Sequence, residues 1–385
     1  MKEGWTYKKL GEVARVQNGY AFDSKLFNEN GNGTPLIRIR DIKRNHTYTY
    51  TTEDCSKEFF IENGDLLIGM DGDFNVCTWE GGHAYLNQRV CHVIPSNQVI
   101  AKFLYYLLPF PLKRINDKTT FATVKHLSSK QVGNIMMPVP SLDEQQRVVE
   151  RLDAAFENID KLKANAEKQL AEAQTLFQKS LAKAMEPKEG WEEKTLKETC
   201  SVITDGTHHS PVNLATGKYK YITAKNIKPW GLDLSNITFV TEDVHKEIVS
   251  RCCPLKGDVL YIKDGATTGI AIVNPLDEEF SMLSSVALIR PKKDILLSEF
   301  LCYALNSPLI YEQTRSQMDG AAITRVTLVK IKGFRIPIPS ISEQQRIVER
   351  LDVLSENIRK YEEIQRQIIS ECDALKQALL RKVFE

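Results

Sequence analysis

An internal repeat constrains the fold of this 385-residue chain more than any other feature. Residues 138–159 read PVPSLDEQQRVVERLDAAFENI and return at 337–358 as PIPSISEQQRIVERLDVLSENI, with 15 of 22 positions identical. The opening KEGW of residues 2–5 returns at 188–191. A repeat of this period indicates that a whole structural unit was duplicated. The chain is therefore predicted to be two copies of one unit, each a globular module followed by a long helical segment.

The match between the two copies is weaker inside the globular modules. Residues 37–43 correspond to 222–228, and the pairs Gly64-Asp65 and Asp71-Gly72 correspond to Gly257-Asp258 and Asp264-Gly265. Phe103, Leu104 and Tyr106 return as Phe300, Leu301 and Tyr303. A shared frame with different surface residues is what two modules need to bind different targets in similar ways. Neutral drift of loops after an old duplication is the alternative.

Each unit is predicted to end in a long helix. Ser141 with Glu144, and Ser340 with Glu343, fit the S-x-x-E capping box directly after a Pro-x-Pro stretch that cannot itself be helical. Pro and Gly are absent from 144–186 and 343–385, and Pro187 ends the first helix. At 1.5 Å per residue each helix would reach roughly 60 Å.

Both helices carry an apolar stripe with the spacing of a coiled coil. The first stripe is wider and has a stutter after Leu162. Because a solitary helix would leave its stripe exposed to water, the two helices are expected to pack on each other, antiparallel, as a tandem repeat with a pseudo-two-fold axis most easily allows. The first stripe comprises Val148, Leu152, Ala155, Ile159, Leu162, Ala166, Leu170, Ala173, Phe177 and Leu181; the second comprises Ile347, Leu351, Leu354, Ile358, Tyr361, Ile368, Cys372, Leu375 and Leu379, with Gln365 as its polar member.

The modules are predicted to be α+β domains with a curved sheet. Alternation of Ile37 and Ile39 with Arg38 and Arg40 indicates a strand, as do the apolar runs 66–68, 259–262, 270–273 and 286–289. Residues 103–108 and 300–305 have a helical pattern. The predicted order is a mixed domain at 1–140, a helix at 141–186, a second domain at 187–339 and a helix at 340–385.

Basic, amide and aromatic residues cluster at matching places in both modules. Such side chains bond to base edges and phosphates, which indicates DNA binding, whereas a solvated basic face is the alternative. The candidates in the first module are Arg38, Arg40, Lys43, Arg44, Tyr48, Lys118, Thr119, Thr120, Lys125 and His126; those in the second are Lys225, Lys228, Trp230, Arg315, Gln317 and Arg325.

Composition and missing motifs narrow the function further. The net charge of +1 means that any DNA binding must rest on local basic surface. An apolar span or signal peptide is absent, so a cytoplasmic protein without a membrane partner is expected. Walker, methyltransferase-loop, G-x-S-x-G and H-E-x-x-H motifs are absent too, which predicts a chain without catalysis. His208-His209 lacks companions at ligand spacing, so metal binding is not expected.

Taken together, the repeated helix starts, the EGW openings, the DGTHHSP run at 205–211 and the Gly-Asp turns resemble the specificity subunit of type I restriction-modification systems (S subunit, HsdS family). The resemblance covers essentially the whole chain. It implies that each module is a target-recognition domain reading one half of a split, asymmetric site in double-stranded DNA. It places DNA-contacting loops at 118–126 and 317–325, where the two copies diverge.

The resemblance also implies partners for the paired helices. They would fix the gap between half-sites and dock two methyltransferase (M) subunits, with Leu152, Ile159, Leu351, Leu354 and Ile358 in the docking coiled coil. The methyltransferase would use S-adenosylmethionine, and a restriction (R) subunit that joined would use ATP and Mg²⁺, while this chain would bind no cofactor. Two alternatives remain open: a coiled-coil adaptor for protein partners, and a self-sufficient DNA methyltransferase, which the absent motifs disfavour.

We expect residues inserted in phase into both long helices to lengthen the spacer that the complex tolerates between half-sites. Half-sites one helical turn apart are separated by ~34 Å, a distance that helices of the predicted length can span. The test is to map the sites that are methylated when the lengthened chain is expressed with its methyltransferase subunit. A spacer of unchanged length would contradict the prediction.

Overall fold

The computed structural model describes residues 4–118, 125–316 and 325–384. The chain forms two compact units. Unit 1 consists of Met1–Asn165 together with Ile368–Glu385, and unit 2 consists of Ala166–Gln367. Each unit therefore contains one module, the start of the long helix that follows it, and part of the other long helix.

Unit 1 is a mixed α+β structure. Its described strands are β1 Thr6–Lys9, β2 Ala14–Asn18, β3 Phe27–Asn28, β4 Thr34–Ile37, β5 Tyr50–Thr51, β6 Phe60–Ile61, β7 Leu66–Gly69, β8 Val76–Thr78, β9 Ala84–Leu86, β10 Val90–Pro95 and β11 Met136–Val139. Its described helices are α1 Leu10–Val13, α2 Ala101–Leu107, α3 Pro109–Lys118, α4 Ser129–Gly133 and the start of α5 Leu142–Ala184.

Three sheets organise unit 1. An antiparallel sheet has the order β2-β10-β7-β8, and a second has the order β3-β5-β4-β9-β6 with a parallel β4–β9 pair. The pair β1–β11 joins the start of the module to the segment before α5, with Thr6 opposite Val139. Strand β7 is buried on both faces because the two main sheets share a core through it, with Leu66 and Ile68 in one cluster and Leu67 in another.

Unit 2 has the same kinds of elements. Its described strands are β12 Glu192–Thr195, β13 Cys200–Asp205, β14 Tyr219–Ile222, β15 Ile227–Lys228, β16 Gly231–Leu232, β17 Thr238–Val240, β18 Val259–Ile262, β19 Ala271–Val273, β20 Phe280–Met282, β21 Val286–Pro291 and β22 Arg335–Ile338. Its described helices are α6 Leu196–Thr199, α7 Glu242–Arg251, α8 Ser298–Leu305, α9 Pro308–Ser316, α10 Leu328–Lys332 and the start of α11 Ile341–Phe384.

The frame of unit 1 recurs in unit 2. The sheet β13-β21-β18-β19 has the strand order of β2-β10-β7-β8, and the pair β12–β22 matches β1–β11. The remaining strands differ, because unit 2 has a three-stranded sheet β17-β14-β20 and a hairpin β15–β16. The predicted tandem repeat of mixed modules is confirmed, and so are the strands at 66–68, 259–262, 270–273 and 286–289, with ends that differ slightly.

The predicted strand through Ile39 and Arg40 is wrong. Strand β4 ends at Ile37, and Ile39–Asp41 forms a 3₁₀ turn. The cause is Asp41, whose buried carboxylate accepts a hydrogen bond from the Arg38 backbone N–H at 2.8 Å and closes the turn. Alternating apolar and charged residues occur both in a half-buried strand and in a strand that ends in a capped turn, so this pattern did not distinguish the two structures.

Both long helices begin where the capping serines predict. The Ser141 hydroxyl accepts a hydrogen bond from the Glu144 N–H, and the Ser340 hydroxyl accepts one from the Glu343 N–H, each at 3.3 Å. The carboxylates of these glutamates instead pair with Arg147 and Lys188. The helices then continue unbroken for 43 and 44 residues.

Within each unit the two helices are antiparallel, as expected. In unit 1 the Lys376 ammonium contacts Asp160 at 2.5 Å, and that of Lys163 contacts Asp373 at 2.8 Å, so rising numbers on α5 meet falling numbers on α11. In unit 2 the Tyr361 hydroxyl donates to the Gln169 side chain at 2.7 Å, whereas Leu181 shares a core with Leu351. Both units thus bury one stripe of each helix.

The buried stripe differs from the predicted one at three positions. Leu162, Tyr361 and Leu375 are 50%, 39% and 49% exposed, while the polar Gln365 is 5% exposed. Next to two of the exposed leucines, the side chains of Lys163 and Lys376 are only 29% and 24% exposed. Lysine can bury its methylene stem while its ammonium reaches a carboxylate. A stripe predicted from apolar residue types alone was therefore wrong at these positions.

The other predicted seam residues lie on the buried side. Leu152, Ile159 and Leu351 are buried, and Leu354 and Ile358 are half-buried. Their role in docking a partner stays a prediction.

One buried glutamine in each unit joins the module to its helix. Gln145 is fully buried; its amide nitrogen donates to the carbonyls of Pro140 and Gln98, and its oxygen accepts from the Ile100 N–H at 2.9 Å. Gln344 repeats the arrangement with Pro339, Ile295 and Leu297. The second glutamine of the repeated SxxEQQ start is exposed in both copies, so the two have different roles.

A tyrosine and an aspartate repeat beside this glutamine. The Tyr106 hydroxyl donates to Asp153 at 2.5 Å, and that of Tyr303 donates to Asp352 at 2.6 Å. Burial, followed by the hydrogen bond to the carboxylate, raises the pKa of both tyrosines. These bonds hold α2 against α5 and α8 against α11.

We expect Gln145→Leu and Gln344→Leu each to lower the free energy of unfolding by about 1–3 kcal/mol, because each change leaves one buried carbonyl, together with a partly buried N–H and carbonyl, without its partner. Urea titration of the full chain measures the effect. The matched controls are Gln146→Leu and Gln345→Leu, which change the exposed neighbours and should stay within about 0.5 kcal/mol of wild type. Equal losses at the buried and exposed positions would contradict this role.

Candidate nucleic-acid interface

In unit 1 a single turn brings the two predicted basic groups together. The turn connects β7 to β8 and contains Gly72, which has a φ of +75°. Lys43, from the first group, contacts the Asp73 carboxylate at 2.7 Å. The Gly72 N–H donates to the carbonyl of Lys125, from the second group, at 3.0 Å. Two groups that are far apart in sequence therefore meet at this turn.

Hydrogen bonds hold the basic side chains at the turn. The Lys125 ammonium donates to the backbone and side-chain oxygens of Asn116 at 2.7 and 2.8 Å, and the Asn116 amide in turn donates to the Gly72 carbonyl. The hydrogen bond and charge of Lys43 lower the pKa of Asp73. The lysines are thus oriented before any ligand arrives.

A carboxylate at the same turn carries a histidine and an arginine. The His126 Nδ1 lies 2.7 Å from Asp71 Oδ1. The Arg89 guanidinium lies 3.2 Å from that imidazole nitrogen and 3.6 Å from Asp71 Oδ2. The Asp71 side chain is 20% exposed, whereas His126 and Arg89 are each 51% exposed. The acidic group is covered and the basic groups face outward.

Unit 2 has a related cluster at the matching turn. Asp264, the counterpart of Asp71, accepts from Arg325 Nε at 3.0 Å and lies 3.2 Å from the Lys263 ammonium. Both aspartates also form a backbone bridge at equivalent places, Asp71 with His126 and Asp264 with Arg325. The frame repeats, while histidine in one unit is replaced by arginine in the other.

A second carboxylate, Asp205 at the end of β13, extends the cluster of unit 2. It lies 3.4 Å from the ammonium of Lys263, and both side chains are almost fully buried. It also accepts from the Arg251 guanidinium and lies 3.3 Å from His208 Nε2. A buried carboxylate is tolerated only when it is paired and hydrogen-bonded, and Asp205 is both.

A glycine after β13 allows this arrangement. A Cβ on Gly206 would lie 1.9 Å from the Met282 carbonyl oxygen, so the strand passes too close for a side chain. Gly19, after β2 of unit 1, is equally constrained by the Asn87 carbonyl at 2.2 Å. The close approach places Thr207 beside the end of β20, where its N–H donates to the Met282 carbonyl at 2.9 Å.

Other predicted residues of unit 1 lie on the same module. The Arg38 guanidinium lies 5.6 Å from the centre of the Phe27 ring, and Arg40 donates to the Thr49 hydroxyl at 2.9 Å. Arg44 is exposed, and Tyr48 is 62% exposed with its ring against that of His46. Lys118 is exposed at the end of α3.

Unit 2 places its remaining candidates around a cavity and at the end of a helix. Lys225 and Lys228 line a cavity of about 690 Å³, and Trp230 lies 75% exposed in the turn between β15 and β16. The Arg315 guanidinium lies 5.3 Å from the Tyr311 ring on α9. Thr119, Thr120 and Gln317 lie outside the described residues. The DNA contacts of all these residues stay predictions.

The sequence patterns missed Arg89, Arg251, Asp205 and Lys263. Arg89 follows strand β9 in an NQR stretch that matches no recognised motif. Arg251 ends α7, a helix that unit 1 lacks, since the corresponding segment of unit 1 has only the 3₁₀ turn Lys57–Phe59. Their partners are 37 to 46 residues away in sequence for the Arg89–His126 and Arg251–Asp205 pairs. Of the segments that contain these four residues, only the DGTHHSP run stood out in the sequence, and it begins with Asp205.

Across the described ranges, no group of three or more His, Cys, Asp or Glu side chains is placed to hold a metal ion. Within those ranges, no helix is both long and apolar enough to cross a membrane.

The arrangement agrees with known proteins over nearly the whole chain. The family description "Type I restriction modification DNA specificity domain" matches residues 2–172 and 188–369. The chain belongs to this family. Its two matched ranges coincide with the two copies of the repeat, and as a specificity subunit it has a DNA-recognition role that is not itself catalytic.

Individual relatives support the assignment. The specificity subunit of the type I restriction enzyme EcoBI from Escherichia coli is 29% identical over 99% of this chain and 86% of its own length. The MjaVIII specificity subunit from Methanocaldococcus jannaschii is 21% identical over 94% of this chain and 89% of its own.

Solved structures agree in fold. A chain from a study of complex assembly and conformational transition in a type I restriction-modification system superposes with a TM-score of 0.78 at 20% identity, covering 100% of this chain and 98% of that one. The HsdS subunit from Thermoanaerobacter tengcongensis gives 0.59 at 20% identity, covering 100% and 97%. The predicted fold and specificity role are confirmed.

Proposed function

We propose that this chain reads a split, asymmetric site in double-stranded DNA, with unit 1 contacting one half and unit 2 the other. The observation that carries the proposal is the repeated turn with different basic side chains: Lys43, Lys125 and His126 in unit 1, against Arg325 in unit 2. A shared frame supports one docking mode, and different side chains support different half-sites.

The long helices are proposed to dock two methyltransferase subunits, to which a restriction subunit can be added. S-adenosylmethionine, and ATP with Mg²⁺ where a restriction subunit joins, would be used by those partners and not by this chain. The recognition domains are proposed to be residues 1–140 and 187–339, and the helices 141–186 and 340–385. The proposed compartment is the cytoplasm, where the DNA is accessible.

The test is base-resolved methylation mapping of DNA from cells that express this chain together with its methyltransferase subunit. We expect methylation at one split motif, and none when the methyltransferase subunit is expressed alone. The proposal would be overturned if the purified and folded complex methylated no site above the level seen with the methyltransferase subunit alone. That result would favour the adaptor.

DNA binding by the complex should weaken steeply with salt, because local basic patches must release counterions from a chain that is nearly neutral overall. The double change Lys225→Gln with Lys228→Gln should reduce the slope of log K against log salt by about 0.9 for each phosphate that the variant no longer neutralises. Fluorescence anisotropy at several salt concentrations measures the slope. The control, Lys194→Gln, removes a lysine that pairs with Glu192 on β12, and should leave it unchanged.

A further inference from the structure

Each unit contains an exposed arginine that forms an ion pair with a covered carboxylate and lies within 3.2 Å of a histidine nitrogen. In unit 1 these residues are Arg89, Asp71 and His126. In unit 2 they are Arg251, Asp205 and His208, with the arginine Nη2 lying 3.0 Å from the His208 Nε2. The arginine side chains are 51% and 50% exposed, while the carboxylates are 20% and 2% exposed.

The two sets share their chemistry but not their positions in the frame. Asp71 lies in the turn after β7, and its counterpart in unit 2 is Asp264, which holds Arg325. Asp205 instead ends β13, and Arg251 ends α7. The same arrangement is therefore built at two different places on a common scaffold, as recognition of two different half-sites requires.

Simple neutralisation does not account for Arg251. In unit 2 Asp205 already has the buried Lys263 as a counterion, and Asp264 has Lys263 and Arg325. Three permanent cations thus face two carboxylates. The extra positive charge is on exposed guanidinium groups, where an electron-rich ligand can reach it.

A held guanidinium is suited to reading a base. Arginine has five N–H donors in a rigid fork. In Arg251 the contacts to Asp205 and His208 both involve Nη2, and in Arg89 those to Asp71 and His126 involve Nε and Nη1, so each guanidinium has further donors for a ligand. Because its side chain is already ordered, contact with DNA costs less conformational entropy. Among base edges in the major groove, the O6 and N7 acceptors of guanine are the commonest specific partner of arginine donors.

We propose that Arg89 and Arg251 each read a guanine, one in each half-site, and that Asp71 and Asp205 are positioning residues that aim them. This inference rests on the proposed function. Arg325, which pairs with Asp264 at the frame position of His126, is linked to the same cluster through Lys263, because Lys263 pairs with both Asp264 and Asp205.

The experiment is methylation mapping with the full chain and its methyltransferase subunit, comparing Arg89→Lys and Arg251→Lys with wild type. Lysine keeps the charge but not the fork. We expect each variant to relax one guanine·cytosine position, in one half-site only and in different halves, by about tenfold or more in preference. The controls Arg15→Lys and Arg335→Lys, exposed on β2 and β22, should keep the wild-type motif.

Positioning is tested by Asp71→Asn and Asp205→Asn, each alone and combined with the lysine change in its own unit. The single changes should relax the same base as the arginine variant, and each double variant should be no more relaxed than the arginine variant. A structural role alone would lower methylation at every site without changing the motif. Thermal unfolding identifies any variant that fails to fold, and the lysine variants then decide the question.

The outcomes separate the inference from the proposed function. A split wild-type motif that survives both lysine changes overturns the inference alone, as does a uniform loss of methylation with an unchanged motif, which would indicate phosphate contacts. A wild-type complex without any split motif overturns the proposed function and the inference with it.

Discussion

The fixed orientation of each module on its long helix depends on one fully buried amide. Gln145 and Gln344 each satisfy two carbonyls and one N–H that the Pro-x-Pro segment and the loop before α2 or α8 would otherwise leave unpaired inside the protein. Buried backbone groups must find partners, so the helix start, the loop and the module can be ordered only together. The adjacent Tyr–Asp bonds fix the same junction farther along the helix.

This junction lets the rest of each module vary. The four-stranded sheet and the pair β1–β11 or β12–β22 repeat because they adjoin the junction. The other sheets, whose strands lie between β2 and β10 or between β13 and β21 in the sequence, differ in strand number and order. The basic clusters form where the constant and variable parts meet, at the turn after β7 or β18. A protein built in this way can change the residues of its variable sheets without disturbing the packing of the long helices.

Electrostatics in the clusters follows from a chain with almost no net charge. Bulk attraction to DNA is weak for such a chain, so local charge has to be concentrated and oriented. Covered aspartates do both, because they hold cations in one place and the cations offset part of the free-energy cost of burying the carboxylates. The buried Lys263–Asp205 pair is the extreme case: replacing Asp205 would leave the buried Lys263 with Asp264 as its counterion, which Arg325 already shares, and an undercompensated buried charge is destabilising. The proposed recognition cluster and the stability of unit 2 therefore share this residue pair.

The sequence alone determined the duplication, the starts and continuity of the helices, the main buried strands and the family. These features depend on local chemistry, namely the capping serines, the position of proline, the apolar periodicity and the repeated sequence motifs. The clusters of the candidate interface were decided by tertiary structure. Lys43 meets Asp73, Arg89 meets His126 and Arg251 meets Asp205 only because the strands between them turn back on one another. The seam at Lys163 and Lys376 was likewise invisible, since a lysine shows its apolar stem only when a carboxylate on the other helix holds its charged end.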